Sequence, residues 1–385
     1  METETPIYLD HAAATPLDPR VFAAMEPYLR DQFYNPSASY QAARSIRADF
    51  EAARHRLAMV IGAAREEIIL TAGATESVNI AFQGLLQPKD HVVIGATEHA
   101  AVRGAAENYH LSLAFADSRG SISPEAVESV IQQSTKLVSV ILADNEIGTV
   151  QKLRDIATVI ERVRTQRLRD GNVTPIYLHS DASQGASALD INVARLGVDL
   201  LTLNAGKVYG PKQVGLLYVR RGIVLEPLLR GGGQERGVRS GTENVAGVVG
   251  FAVALELVQA NRHQENDRLR HLRAQLLNGL IAALPDLVVN GHPKRHLPGH
   301  LSVAIPGLDA ERVVFALDSR GVQLATGAAC AANKGTRSKV LEAIGLEASV
   351  ADGSLRISLG HMNDEAQIGR VIPMITECID KERQS

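Results

Sequence analysis

The feature of this sequence that most constrains its fold is a series of short, nearly uninterrupted apolar runs separated by helical patterns. Residues 136–144 (KLVSVILAD), 175–182 (PIYLHSDA) and 198–204 (VDLLTLN) are of this kind. Such runs are typical of strands that are buried on both faces in a parallel sheet covered by helices. The sequence therefore predicts an α/β fold, with a large, mainly parallel sheet domain over residues 15–260. Residues 215–221 (GLLYVRR) are expected to form an edge strand of that sheet.

The remaining residues, 1–14 and 261–385, carry shorter elements and predict a smaller α+β domain. A helical pattern from Asn244 through Leu284 connects the two parts, with a break expected near 260–264.

Composition excludes several classes of protein. The 385 residues are 45% hydrophobic, enough for a large core, and the net charge of −3 gives no broad attraction to nucleic acid. The most basic run, residues 162–169, predicts a solvated helix face. Two cysteines form no disulfide framework, the N-terminus lacks a signal-peptide pattern, and no apolar run approaches the ~20 residues of a membrane span. We therefore expect a cytoplasmic protein that binds neither nucleic acid nor membranes, and we expect no metal site.

Three polar motifs follow predicted strands, where open α/β sheets bind their ligands. Residues 71–77 (TAGATES) place Gly73 and Thr75 at a helix start, whose free N–H groups favour a phosphate, although an ordinary helix cap is the alternative. Asp181 ends one strand, where it would cap a helix or pair with a protonated ring nitrogen. Lys207 ends another, and a desolvated lysine suits Schiff-base chemistry, whereas a surface loop lysine is the alternative. Together these groups meet the needs of pyridoxal 5′-phosphate (PLP).

Two residues between these motifs fit the same site. His99 (TEHAAV) is placed to stack on a cofactor ring, with a helix-capping or surface histidine as the alternative. Asn145 (ADNEIGTVQ) is placed to donate to the cofactor's phenolic oxygen, with a polar loop turn as the alternative.

The ordered motifs YLDHAAATP, NPSAS, AGATES, TEHAAV, DNEIG, SDASQ, GKVYGPK, GGGQERGVRSGT, TGAACAANKGTRS and LRISLG resemble those of NifS-like cysteine desulfurases. These are class V members of the fold-type I PLP enzymes, and the match runs from residue 7 to about residue 362. The resemblance implies a fold-type I PLP-dependent transferase that converts L-cysteine to L-alanine. It also implies a homodimer with shared active sites and a sulfur-acceptor protein, either an iron–sulfur scaffold or a thiolation carrier.

The resemblance also implies roles around the cofactor. Lys207 would form the Schiff base and move protons at the substrate's α-carbon, and Asp181 would keep the pyridine nitrogen protonated. Gln184 and Asn145 would bind the phenolic oxygen, and Thr242 would reach the phosphate of the neighbouring subunit. The full set implied to contact PLP is Ala74, Thr75, His99, Asn145, Asp181, Gln184, Asn204, Gly206, Lys207 and Thr242.

Four residues are implied to act on the substrate. Cys330 matches the nucleophile that takes the sulfur as a persulfide, and His99 would help to move protons. Arg356 matches the clamp on the substrate carboxylate, and Asn35 would face the substrate. The alternatives are an inert free thiol for Cys330 and a strand-surface arginine for Arg356.

The sequence around Cys330 suits this role. Its small and polar neighbours would let the loop move between cofactor and surface, and Lys334, Arg337 and Lys339 would favour the thiolate. Cys378 lies in a helical pattern and is expected to be a small core residue.

Three positions depart from the family pattern. Asn204 stands where a serine is usual, while Gly206 and Tyr40 each stand where a histidine is usual. The residues usual at the first two positions help to hold the phosphate, so either backbone N–H groups and the Asn204 amide replace those contacts or cofactor affinity is lower. A selenocysteine lyase, an aminotransferase and a non-catalytic PLP-fold partner protein remain alternatives.

Overall fold

The computed structural model describes residues 6–327 and 337–384. Its strands are β1 (Ile7–Tyr8), β2 (Ile68–Thr71), β3 (His91–Gly95), β4 (His110–Ala114), β5 (Thr135–Ser139), β6 (Tyr177–Asp181), β7 (Leu200–Asn204), β8 (Gly215–Val219), β9 (Val288–Asn290), β10 (His300–Ala304), β11 (Val322–Gln323), β12 (Ala325–Thr326) and β13 (Ser354–Ser358). Its α-helices are α1 (Pro19–Arg30), α2 (Gln41–Ile61), α3 (Ala74–Leu85), α4 (Ala100–Ala106), α5 (Pro124–Glu128), α6 (Leu153–Arg169), α7 (Val193–Leu196), α8 (Val245–Ala283), α9 (Ala310–Asp318), α10 (Lys339–Ala343), α11 (Ala348–Asp352) and α12 (Glu365–Arg383).

The main sheet has seven strands in the order β2-β8-β7-β6-β5-β3-β4. The five strands from β7 to β4 pair in parallel, and β8 and β2 pair antiparallel. Alternate residues of each strand point to opposite faces, so Leu137 packs with α3 and α4 while Val138 packs with α2, α6 and α8. This arrangement confirms the predicted α/β class with a mainly parallel sheet.

The position predicted for β8 is wrong, because this strand lies inside the sheet between β7 and β2. All five of its residues are buried. The weak alternation of its sequence therefore reflects burial on both faces, which an interior strand requires.

A second core lies beside the main sheet. The antiparallel strands β12-β13-β10-β9 and the parallel pair β1-β11 pack against α9, α12 and the last part of α8. Cys378 is buried in this core, as expected for a small core residue. The domain bounds at residues 15 and 260 stay a prediction, since α8 contributes to both cores.

The predicted break in α8 is wrong, because one helix of 39 residues runs without interruption. Its first part packs into the main core and its later leucines pack into the second core. Between them, Gln259 donates to the carbonyls of Ala186 and Leu189, and Asn266 donates to that of Ala188. These bonds fasten the polar middle of the helix to the loop after β6. Although α8 is long and apolar enough to cross a membrane, 61% of its most apolar stretch is buried, as in a core helix.

The basic run in α6 is only partly solvated, which corrects the sequence interpretation. Arg167 is buried and donates to the carbonyls of Gln132 and Thr135. Arg164 binds the carbonyl of Ile176. Both guanidinium groups therefore satisfy backbone carbonyls at or just before the starts of β5 and β6.

Candidate active site

A cavity of about 560 Å³ opens at the carboxyl ends of β3, β5, β6 and β7. It is the position at which open α/β sheets bind ligands. Nine sequence-predicted residues line it, namely Ala74, Thr75, His99, Asn145, Asp181, Gln184, Asn204, Lys207 and Arg356. Residues that sequence reasoning missed also line it, among them Asp10, Ser183 and the α9 residues Glu311, Val314 and Phe315.

Lys207 closes a short 3₁₀ turn directly after β7. Its Nζ donates to the carbonyl oxygens of Ala12 and Ala13, each at 2.7 Å. Gln184 donates to the same Ala12 carbonyl at 2.8 Å. The lysine amine is therefore held at the cavity wall by the segment after β1.

Asp181 is the last residue of β6 and is buried. One carboxylate oxygen accepts from the backbone N–H of Ser183 at 2.9 Å. Glu98 lies behind it, and burial together with the negative charge of Asp181 raises the pKa of Glu98 to about 8. Burial lowers the pKa of the neighbouring His179 to about 4. Both Glu98 and His179 are therefore neutral at pH 7.

His99 caps a helix, which was the alternative interpretation of this residue, and it also lines the cavity. Its Nδ1 accepts from the backbone N–H of Ala101 at 3.1 Å, which caps α4. Burial lowers the pKa of His99, so the ring is neutral with its proton on Nε2. The cap fixes the orientation in which the ring faces the cavity.

The start of α3 forms the anion-binding end. Gly73, at φ +130°, precedes the helix, and a Cβ on Gly215 would lie 2.7 Å from the Gly73 Cα, so this turn sits directly against β8. The N–H groups of Ala74 and Thr75 open the first turn, where the helix dipole favours a phosphate.

The two departures Asn204 and Gly206 lie beside this helix start. The side-chain oxygen of Asn204 accepts from the backbone N–H of Gly206 at 2.9 Å. A Cβ on Gly206 would come no closer than 3.4 Å to another atom, and Gly206 borders an adjoining cavity of about 500 Å³. The chain therefore leaves room at the phosphate end that the usual histidine would fill.

Arg356 is buried, which excludes a strand-surface arginine. Its Nη2 donates to a carboxylate oxygen of Asp10 at 2.7 Å, and its Nη1 donates to the carbonyl of Asn145 at 3.3 Å. Asp10 lies in the motif YLDHAAATP, but no local sequence pattern relates it to Arg356 in β13.

Other predicted residues lie away from the cavity. Asn35 is exposed and does not line it, and its side-chain oxygen accepts from the N–H of Ser37, so within one chain it does not face the substrate site. Thr242 is also exposed and outside the lining. Cys330 lies outside the described residues.

The cations predicted to favour a thiolate have other partners. Arg337 forms an ion pair with Asp352, and Lys339 forms one with Glu342. Lys334 lies outside the described residues.

Known proteins resemble this chain over nearly its whole length. The aminotransferase class-V family matches residues 7–371. A cysteine desulfurase IscS of Dictyoglomus turgidum is 34% identical, covering 98% of this chain and 95% of that protein. A solved NifS-like protein superposes with a TM-score of 0.89 at 29% identity, covering 98% of this chain and 100% of that one. A structure of SspA in complex with cysteine has a TM-score of 0.79 at 32% identity, covering 92% and 98%.

The chain belongs to the class-V aminotransferase family of fold-type I PLP enzymes. The residues fit the cofactor, since a lysine amine, a buried carboxylate and a helix start converge on one cavity. Within that family it is a PLP-dependent cysteine desulfurase.

Proposed function

We propose that this enzyme converts L-cysteine to L-alanine and leaves the sulfur on Cys330 as a persulfide. The observation that supports it best is the convergence of Lys207, Asp181 and Arg356 on one cavity. When bound, PLP withdraws electrons from the substrate's α-carbon and makes the Cβ–S bond breakable.

Each residue around the cofactor has its own role in the proposed reaction. With PLP bound, Lys207 would take the proton from the α-carbon and return one to it, and the Asp181 carboxylate would hold the pyridine nitrogen. Gln184 and Asn145, which line the cavity, would bind the phenolic oxygen of PLP, and neutral His99 would stack on its ring. The N–H groups of α3 hold the phosphate.

Arg356 binds the substrate carboxylate. In the structure this guanidinium pairs with Asp10, so an arriving carboxylate competes with Asp10 for the same donors. Exchange of one carboxylate for another keeps the buried Arg356 charge paired throughout, which avoids an isolated charge in the core.

The sulfur step balances without an external oxidant. The Cys330 thiolate attacks the substrate sulfur, an S–S bond forms, and the electron pair of the Cβ–S bond returns to Cβ, which gains a proton to become the methyl group of alanine. The result is one alanine and one persulfide.

We further propose a cytoplasmic homodimer in which Thr242 completes the phosphate site of the neighbouring subunit. The exposure of Thr242 supports this, because it leaves the side chain available to a second chain. Transfer of the outer sulfur of the persulfide needs a thiol-bearing acceptor, which we take to be an iron–sulfur scaffold or a thiolation carrier.

The test is alanine formed from L-cysteine, with a reductant present, by the native enzyme and by Cys330→Ser. We expect the native enzyme to produce alanine and Cys330→Ser to produce almost none. Cys378→Ser is the matched control, since Cys378 is buried in the second core and is expected to keep full activity. Equal alanine from native enzyme and Cys330→Ser would show that Cys330 is not the acceptor.

A further inference from the structure

A second, smaller cavity lies behind Lys207. It measures about 60 Å³ and shares Ala12, Gln184 and Lys207 with the active-site cavity. His11, His300 and Glu265 also line it. A polar cavity needs only ~10–15 Å³ to hold a water molecule, so this one has room for several.

The ring of His11 places a buried hydrogen-bond acceptor, its Nε2, in this cavity without a donor among the residues that the structure describes. Its Nδ1 contacts the carbonyl oxygen of Ser358 at 3.1 Å, and because a carbonyl only accepts, Nδ1 carries the proton. Burial lowers the pKa of His11 to about 4, so the ring is neutral and Nε2 is an acceptor. That Nε2 is buried and has no hydrogen-bond partner among residues 6–327 and 337–384.

The ring cannot turn away to find a partner elsewhere. A Cβ on Gly360 would lie 2.2 Å from the His11 ring, so the two are in direct contact. Tyr8 packs on it with ring centroids 4.9 Å apart. The Nε2 of His300, on the same cavity, is likewise buried and unpartnered within the described parts of the chain. The Nε2 atoms of His11 and His300 are thus two buried polar atoms on one cavity that lack partners in the part of the chain described. Such a pair is typical of a site that binds water.

The cavity also reaches solvent. Asn261 and His361, which form its outer lining, are exposed. The His361 ring lies 3.8 Å from a carboxylate oxygen of Glu265. The lining of this cavity therefore extends from the protein surface to Lys207.

We propose that this cavity binds ordered water, positioned by His11, and that the water exchanges the protons of Lys207 with solvent. His11 is then a positioning residue for proton transfer. The exchange rests on the proposed function, since it requires Lys207 to act at the substrate's α-carbon, whereas the water site does not.

The water site is tested by high-resolution crystal structures of the holoenzyme and of His11→Phe. We expect a water within ~3.2 Å of the His11 Nε2 in the native enzyme and none at that position in the variant. A dry cavity in the native enzyme, or a metal ion in place of water, overturns the proposal.

The exchange is tested with L-cysteine that carries deuterium at the α-carbon. The holoenzyme converts it in ordinary water, and mass spectrometry measures the deuterium retained in alanine. We expect little retention in the native enzyme and roughly tenfold more in His11→Phe, since losing a positioned proton-transfer group commonly costs a hundredfold or more in rate. Because retention is a ratio, a variant that is merely less stable does not change it.

Two variants make the result decisive. His11→Gln keeps an acceptor and is expected to return retention toward the native value. His91→Phe is the matched control, because His91 is a buried histidine whose two ring nitrogens already contact Thr135 and Ser112, and its retention is expected to be native. Equal retention in native enzyme and His11→Phe overturns the exchange. A native enzyme that forms no alanine refutes the proposed function and the exchange together, while the crystal structures still decide the water site.

Discussion

Replacing Glu98 with glutamine is expected to change how the stability of this protein depends on pH. Glu98 is buried behind Asp181, and burial raises its pKa from 4.5 to about 8. Between these values the unfolded chain has released the proton that the folded chain keeps. The folded state therefore binds more protons, and stability falls as pH rises through this window.

The magnitude follows from the width of the window. From pH 5 to pH 7.5 the free energy of unfolding of the native protein falls by about 1.4 kcal/mol per pH unit because of Glu98, or by about 3 kcal/mol in all. Unfolding of 385 residues carries an entropy of about 0.8 kcal/mol per kelvin. The native Tm is thus expected to fall by about 4 °C relative to Glu98→Gln between the two pH values.

The assay is thermal unfolding of native protein and Glu98→Gln at pH 5 and pH 7.5. Taking the difference between the proteins at each pH, and then between pH values, removes any pH-independent cost of the amide. It also removes the titration of Asp144 and Glu146, whose pKa values burial raises to about 6 and about 8 in both proteins. A Tm difference that is the same at both pH values would mean that Glu98 is ionised in the folded protein, contrary to this reasoning.

Two further predictions concern binding. Arg356→Leu is expected to raise KM for L-cysteine by about a hundredfold, because it removes two charge-assisted hydrogen bonds to the substrate carboxylate and leaves Asp10 unpaired in the cavity. Steady-state kinetics measure it, and adding Asp10→Asn is expected to recover part of the loss; an unchanged KM would exclude Arg356 as the clamp. Gly206→His is expected to tighten PLP binding by about tenfold, since the structure has room for its Cβ and the added imidazole is a charge-assisted donor to the phosphate. Equilibrium dialysis measures this, with Gly104→His on open surface as the control, and equal PLP affinity in both would show that the room near Asn204 is not a phosphate site.

The sequence by itself determined the class of fold and the chemistry of most of the site. Apolar runs without alternation indicate strands buried on both faces, and the strand order along the chain then places Asp181 and Lys207 at one edge of the sheet. These properties are local, because each depends on a few consecutive residues and on the rule that parallel strands end on the same side.

Only the tertiary structure decided which distant segments meet. The interior place of β8 depends on pairing with β2, nearly 150 residues earlier in the chain, which no local pattern encodes. The polar middle of α8 continues as helix because Gln259 and Asn266 find carbonyl acceptors in a loop some 70 residues away. The same holds for Asp10 at Arg356 and for His11 at Ser358, contacts that bridge almost the whole chain. Buried polar groups must find partners wherever the fold brings them, so their partners are properties of the packed structure and not of sequence spacing.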